Sequence, residues 1–338
     1  MRAPLSSWMV NSVLAALTLF LFAASIYVGR GGDLLMDKFA TVAEMDRDIA
    51  WLVLTEIRLP RALLGLLVGA SLGLTGAGLQ GLLRNPLAEP GLIGASSGAA
   101  LGAVLVFYSG LTLSAIGMGT VMLVPVGGIA GALLALAVLY LLAGRNPSIV
   151  TIILAGVAIS AFTGALTSLS LNLAPSPYAA LEIVFWMLGS LTDRSMLQVW
   201  FVLPFMSVGW LLVASTWRAL DALSLGEDTA ATLGFSMKSV TLRAILGTGL
   251  AVGAAVSVTG VIGFVGLVVP HLMRPLVGQR PASLLLPSAI GGAALVLAAD
   301  LLVRLPVDGP ELKLGVVTAL VGAPFFLWLI LRTRREAP

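Results

Sequence analysis

The chain has 338 residues, 59% of them hydrophobic and 10% charged, with a mean hydropathy of +1.05, where a soluble domain carries about 25% charged residues. A water-soluble fold cannot hide that much apolar surface, and the continuous apolar runs exclude a β-barrel, whose strands alternate. The net charge of +3 requires no nucleic acid, because basic residues flanking membrane spans suffice, and the absence of cysteine removes disulfides, thiolate ligands and thiol nucleophiles.

Charged residues, prolines and glycine-rich turns divide the apolar windows into ten predicted spans, near 8–28, 59–82, 91–108, 117–143, 149–171, 195–216, 240–258, 261–277, 283–303 and 314–331. Each is close to the ~20 residues that a helix needs to cross a bilayer. They predict an all-α polytopic membrane protein, a single transmembrane domain over 1–338. The first run follows Arg2, is long, and is succeeded by others, so it reads as an uncleaved span and not a secretory signal. Between Val240 and Val277 one kinked helix competes with two shorter ones, and Gly260, Gly263 and Gly266 favour a break.

Ten crossings place both termini on one side. With the N-terminus inside, the inner face receives Arg2, Arg84, Arg145, Arg218, Lys238, Arg243, Arg274, Arg280, Arg332, Arg334 and Arg335. The outer face receives Arg30, Lys38, Arg47, Arg58, Arg61, Arg194, Arg304 and Lys313. The basic excess on the first set predicts cytoplasmic termini. Two connections exceed a turn. Residues 30–57 mix Asp33, Asp37, Glu44, Asp46 and Asp48 with aromatic residues and predict a periplasmic segment with some helix. Residues 217–239, WRALDALSLGEDTAATLGFSMKS, form an inner amphipathic stretch in which Leu225, Ala230 and Leu233 are expected to share one apolar stripe facing a partner.

Glycines recur every four residues at Gly65, Gly69 and Gly73, at Gly94, Gly98 and Gly102, at Gly127 and Gly131, and at Gly249 and Gly253. That spacing stacks them on one helical face and lets backbones approach. Packing within the chain is the expected use, with a dimer interface as the other.

A proton- or ion-coupled transporter keeps ionisable groups inside its spans, and here the interiors are almost bare. His271, the only histidine, is expected to be structural and makes no metal site alone. No G-x-x-x-x-G-K-[ST] loop occurs, since none of Lys38, Lys238 and Lys313 follows a glycine. The chain is therefore expected to be no enzyme and to hold no cofactor or metal, with ATP and Mg on a separate ATPase. An ATP-independent secondary transporter is the alternative, short of titratable groups. An intramembrane enzyme would need a nucleophile and base or a metal cluster.

Three strings carry a resemblance: RLPRALLGLLVGASLGLTGAGLQGLLRNPLAEPGLIGASSGA from Arg58 to Ala99, GVIGFVGLVVPHLMRPLVG from Gly260 to Gly278, and ADLLVRL followed by ELKLGVVTALVGAPFFLWLI from Ala299 to Ile330. They resemble the FecCD-type permeases, which import iron siderophores, haem and cobalamin, and the likeness runs along essentially the whole chain. One departure is Lys313, where relatives usually have Pro, which bears on the start of the last helix.

The resemblance implies a type II ABC importer permease fold of about ten helices per subunit, in the bacterial inner membrane. It implies a homodimer, or a pair with a paralogous permease, around a central pathway in the lipid bilayer. Two ATPase subunits stand below, a periplasmic substrate-binding protein above, and nucleic acid has no part. The implied cargo is a metal chelate, ferric siderophore ahead of haem or cobalamin.

By the same resemblance Arg58 and Arg304, with Arg61 beside them, meet acidic residues of the binding protein, a use that suits bidentate guanidinium pairing. Lipid-headgroup anchoring, or for Arg304 an i,i+4 pair with Asp300, is the competing use. Asn85 and Leu87 lie in the turn RNPLAEPG, where Pro86 and Pro90 stop the helix. They match residues of an inner gate, against a merely structural turn. Within 217–239 the resemblance implies paired short helices seated in an ATPase cleft, with Gly226 and Gly234 as bends, Leu225 and Leu233 as apolar contacts and Glu227 as a charged rim contact. The pathway is expected along the fifth span and the NLAPSPYAALE that follows, with Ser160, Thr163, Thr167 and Ser170 as weak polar contacts, although such hydroxyls equally often bond their own helix carbonyls.

Overall fold

The computed structural model describes residues 6–29, 44–109, 120–144, 148–305 and 311–336, and among them it contains helices and no β-strand. Ten helices answer the ten predicted spans: α1 (Ser7–Tyr27), α3 (Leu59–Leu82), α4 (Ala95–Ser109), α5 (Thr120–Ala143), α6 (Ile149–Asn172), α8 (Met196–Ala214), α11 (Met237–Thr259), α12 (Val265–Val277), α13 (Pro281–Arg304) and α14 (Leu314–Glu336). Between them stand α2 (Glu44–Leu52), α7 (Pro177–Met187), α9 (Trp217–Leu223) and α10 (Glu227–Thr232). Residues 30–43 of the expected outer segment lie outside the described residues, as do Arg2, Arg145 and the side chains of Arg47, Arg332, Arg334 and Arg335.

What remains of that segment is helical. α2 passes through a π-helical turn, Val53–Arg58, directly into α3, so helical backbone runs from Glu44 to Leu82, of which the 35 residues Asp48–Leu82 make one long apolar stretch. The run 91–108 begins differently from its prediction. A 3-10 turn, Pro90–Ile93, closes at Gly94 with φ 80°, and only then does α4 start. Gly94 therefore leaves the helical glycine row to Gly98 and Gly102.

The expected break after Val240 is present. α11 stops at Thr259, Gly260 caps it at φ 72°, and Phe264 opens α12 at φ 66°. α12 has 13 residues, about 20 Å at 1.5 Å per residue, so non-helical backbone from Gly260 to Phe264 completes that crossing. Such backbone is tolerated at membrane depth only where protein covers it. Here Ser190 N–H donates to the Thr259 carbonyl at 2.7 Å, and Gly315 packs so closely that a Cβ would stand 2.5 Å from the Val261 carbonyl oxygen.

α3 is buried along most of its length and lies against α13. At Gly73 an added Cβ would stand 1.9 Å from the Ser288 carbonyl oxygen, and at Gly69 it would stand 2.3 Å from that of Gly292. A second seam joins α4 to α5 through Gly98, Gly102, Gly127 and Gly131, and α11 packs Gly249 and Gly253 on Leu136 and Ala132 of α5. The glycine rows pack within the chain. With little hydrophobic force between helices in lipid, this close approach is what holds them. Single polar contacts fix the register: Trp210 Nε1–H donates to Ser71 Oγ at 2.8 Å, and Thr18 Oγ1–H to the Ile290 carbonyl at 3.2 Å.

α7, with 11 residues, is too short to cross. It and the loop 188–195 make an excursion between the ends of α6 and α8. α14 begins directly after Lys313, whose carbonyl accepts from Val316 and Val317, so the departure from Pro leaves the helix start intact.

Candidate functional site

The helix ends gather into two clusters, named here by their contents. The arginine end collects Arg58, Arg61 and Arg304. Arg58 closes the π-helical turn and its Nη1 donates to the carbonyls of Ile26 at 3.1 Å and Tyr27 at 2.7 Å. Arg304, in the last turn of α13, donates to the Ser25 carbonyl at 2.7 Å, the Val28 carbonyl at 2.9 Å and Ser25 Oγ at 2.8 Å, and it pairs with Asp300. The last carbonyls of a helix have no partner of their own, and these two guanidinium groups supply donors to the end of α1.

Arg61 forks onto Asp300, with Nε 3.0 Å from Oδ1 and Nη2 2.8 Å from the same oxygen, and it also pairs with Glu311. Glu311 in turn accepts from Thr192 Oγ1 at 3.3 Å. Arg58 is 5% exposed and Arg304 3%. Arg58 and Arg304, expected at a docking surface, are thus engaged within the chain. Their heads turn inward because helix-end carbonyls and the buried Asp300 claim the donors. The i,i+4 pair between Arg304 and Asp300, the alternative use, is present.

The short-helix end holds α9 and α10. Gly226 joins them at φ 117° and Gly234 ends α10 at φ 87°, a backbone region that side chains other than Gly rarely adopt. Leu225 is 70% exposed and Leu233 60%, while Ala230 is fully buried. The expected common stripe is therefore corrected: two short helices with a bend do not share the single axis on which periodicity is counted. Ala230 anchors the pair and the leucines project. Asp221 Oδ2 receives Arg280 Nη2 at 2.8 Å, and its Oδ1 accepts the Ala282 N–H at 2.9 Å, which ties α9 to the start of α13. Glu227, expected at the rim, pairs with Arg84 of its own chain at 3.3 Å.

Beside that pair, Asn85 Oδ1 accepts from the Leu87 N–H at 2.9 Å, a turn that Asn side chains favour. Both residues are partly exposed, and Asn85 borders a cavity of about 250 Å³ with Gln80, Arg84 and Arg274. Glu89 in the same loop accepts from the Phe264 backbone N–H; burial pushes its carboxyl pKa up, and that hydrogen bond works against the rise. The turn is thereby linked to the break between α11 and α12, a contact the sequence did not signal.

The fifth span shows where its hydroxyls bond. Thr163, Thr167 and Ser170 are buried, and their hydroxyls donate to the carbonyls of Ile159, Thr163 and Leu166 at 2.8, 2.8 and 2.9 Å. Ser160 Oγ donates to the Gly91 carbonyl at 3.2 Å. Of the two uses weighed for these hydroxyls, intrachain carbonyls have taken them. The open face of α6 is apolar, with Leu154, Val157, Phe162 and Leu169 exposed, and nothing lies within 4 Å of a Cβ at Gly164.

The FecCD transport family model matches residues 17–332. The chain is 42% identical over 286 residues to an uncharacterised ABC transporter permease protein, YvrB, of Bacillus subtilis, covering 84% of this chain and 80% of that protein. It is 38% identical over 294 residues to the hemin transport system permease protein HmuU of Yersinia pestis, covering 86% of each. It is 37% identical over 329 residues to the vitamin B12 import system permease protein BtuC of Vibrio cholerae, covering 96% and 95%. Among solved structures, one described as an inward-facing conformation of a metal-chelate type ABC transporter superposes with a TM-score of 0.80 at 32% identity, covering 96% of this chain and 99% of that one.

Proposed function

The chain belongs to the FecCD transport family, and from that premise we propose that it is the membrane subunit through which an ABC importer passes a ferric siderophore, ahead of haem or cobalamin, into the cytoplasm. It is a multi-pass all-α membrane protein and a permease of the metal-chelate, haem or cobalamin type. The observation that carries the reading is a family match over nearly the full length of a chain in which, among the described residues, the buried Asp300 is engaged in ion pairs at a span end. A proton relay needs free titratable groups along a path, so a separate ATPase, holding ATP and Mg, supplies the driving force.

The reading gives each of the expected residues a role. Two ATPase subunits receive Leu225 and Leu233, which stand out from α9 and α10 as apolar contacts. With that end cytoplasmic, ten crossings return both termini to the cytoplasm of a bacterial inner membrane. Asn85 and Leu87 act in the inner gate through the loop that Glu89 links to the α11–α12 break. The arginine end faces the periplasm, where Arg58, Arg61 and Arg304 hold the rim on which a binding protein docks. Two copies of the chain, or one copy and a paralogue, enclose the pathway between the open apolar faces of α6.

Reconstitution in lipid vesicles tests the reading. With the ATPase inside and a binding protein loaded with ferric siderophore outside, accumulation should require ATP. Accumulation by the chain alone under a proton or sodium gradient would overturn it, and faster import of hemin or cyanocobalamin would reassign the cargo.

A further inference from the structure

At the arginine end, α7 and the loop 188–195, with the ends of α4, α5 and α11, line an open recess of about 340 Å³. Phe107, Phe185 and Trp186 form its aromatic wall, and Arg194 and Lys313 are its cations. Trp186 is 8% exposed, yet among the described residues its indole N–H meets no acceptor, and neither does the Nε of Arg194. Buried indole and guanidinium donors normally find partners. Arg61, Arg280 and Arg304 each hold a carboxylate. Among the described residues none lies in ion-pair contact with Arg194, and Asp193, next in the chain, attracts it only through space. Burial lowers the pKa of Arg194, and a guanidinium nevertheless keeps its charge. Lys313 Nζ stands 6.0 Å over the Phe185 ring and also lacks a carboxylate contact among the described residues. Glu182 and Asp193 border the cavity too, but both are exposed, whereas Arg194 and Lys313 are partly buried. Anionic groups thus sit at the rim, with unmatched donors deeper.

We propose that this recess receives a carboxylate of the transported solute, seated against the aromatic wall and accepting from Arg194 and Trp186. The proposal rests on the importer reading and narrows its cargo. A chelate with ionised carboxylates on its periphery fits, and one fringed by neutral amides does not. A recess also suits a small ligand better than a folded partner's surface. Guanidinium–carboxylate hydrogen bonds are charge-assisted and roughly twice as strong as neutral ones, while three aromatic rings give the ligand's apolar body a face to lie on.

Fluorine NMR of the full chain in lipid nanodiscs tests this with 4-fluorobenzoate and its uncharged analogue 4-fluorobenzamide. The benzoate should bind saturably and about tenfold more tightly than the amide. Arg194→Gln should abolish that preference, and Arg194→Lys should restore part of it. Hemin, which carries two carboxylates, should displace the benzoate, and cyanocobalamin should not. Equal binding of the two probes by the unaltered chain would overturn the proposal without recourse to any variant, as would an unchanged preference in Arg194→Gln. Displacement by cargo-free binding protein would assign the recess to a partner's carboxylate and overturn the cargo assignment. Because this binding is read without ATP or ATPase, its failure leaves the importer reading standing, and failed vesicle import leaves the site standing.

Discussion

The two ends of the molecule use the same kinds of residue in opposite ways. At the arginine end, Arg58, Arg61 and Arg304 are closed on helix-end carbonyls and carboxylates, with Arg61 and Arg304 sharing Asp300, and Arg194 stands apart from them. At the short-helix end the ion pair Arg84–Glu227 lies open to water and large apolar side chains project. Desolvation makes the difference. A buried charge must be matched inside the chain, whereas an exposed leucine is free to be matched by something else. The first end therefore has its shape held by matched charges, and the second leaves apolar side chains unmatched by its own chain.

The sharpest way to break this contrast is Asp300→Ala, which takes the shared carboxylate from Arg61 and Arg304. Removing one partner of a buried pair costs about 3–5 kcal/mol. Thermal unfolding of the purified chain should show a large loss, and an unchanged midpoint would mean the arginine end is not held by its charges. A smaller effect is expected at Glu89, where burial raises the carboxyl pKa above the ordinary 4.5. The protonated form then favours the fold, and that contribution is lost as pH rises through the raised value. Glu89→Gln should gain stability over the native chain from acid toward neutral pH, and parallel stability curves would reject the assignment.

Arg84→Ala removes only an exposed pair and should cost about 0–1 kcal/mol, less at high salt. A loss comparable with that of Asp300→Ala would erase the distinction between the ends. Leu225→Ser with Leu233→Ser should change stability by less than about 0.5 kcal/mol. In assembled vesicles, however, the same double substitution should uncouple ATP hydrolysis from import. Normal coupling would remove the leucines from the partner interface.

The crossings were legible in the sequence because a bilayer imposes one length and one polarity on every span. The run 59–82 and the break at Gly260 are seen as expected. Direction was not legible. The letters at Arg58 and Arg304 declare a donor but do not say that the end of α1 will take it. Thr163, Thr167 and Ser170 look like pathway polarity until their hydroxyls are found on carbonyls one turn back. The stripe through Leu225, Ala230 and Leu233 failed because the chain bends at Gly226. Arg194 and Trp186 gave no signal at all, being a lone loop cation and a lone indole in an apolar helix, and only the cavity brings them together.

The helix from Asp48 to Leu82 is unbroken for 35 residues, about 52 Å at 1.5 Å per residue, whereas the hydrocarbon layer is ~30 Å thick. It therefore overshoots the membrane like a pushrod. Its tip is α2 and its foot adjoins Arg84, so α2 and the turn that bears Asn85 and Leu87 stand at the two ends of a single stiff shaft, with no slack linker in between.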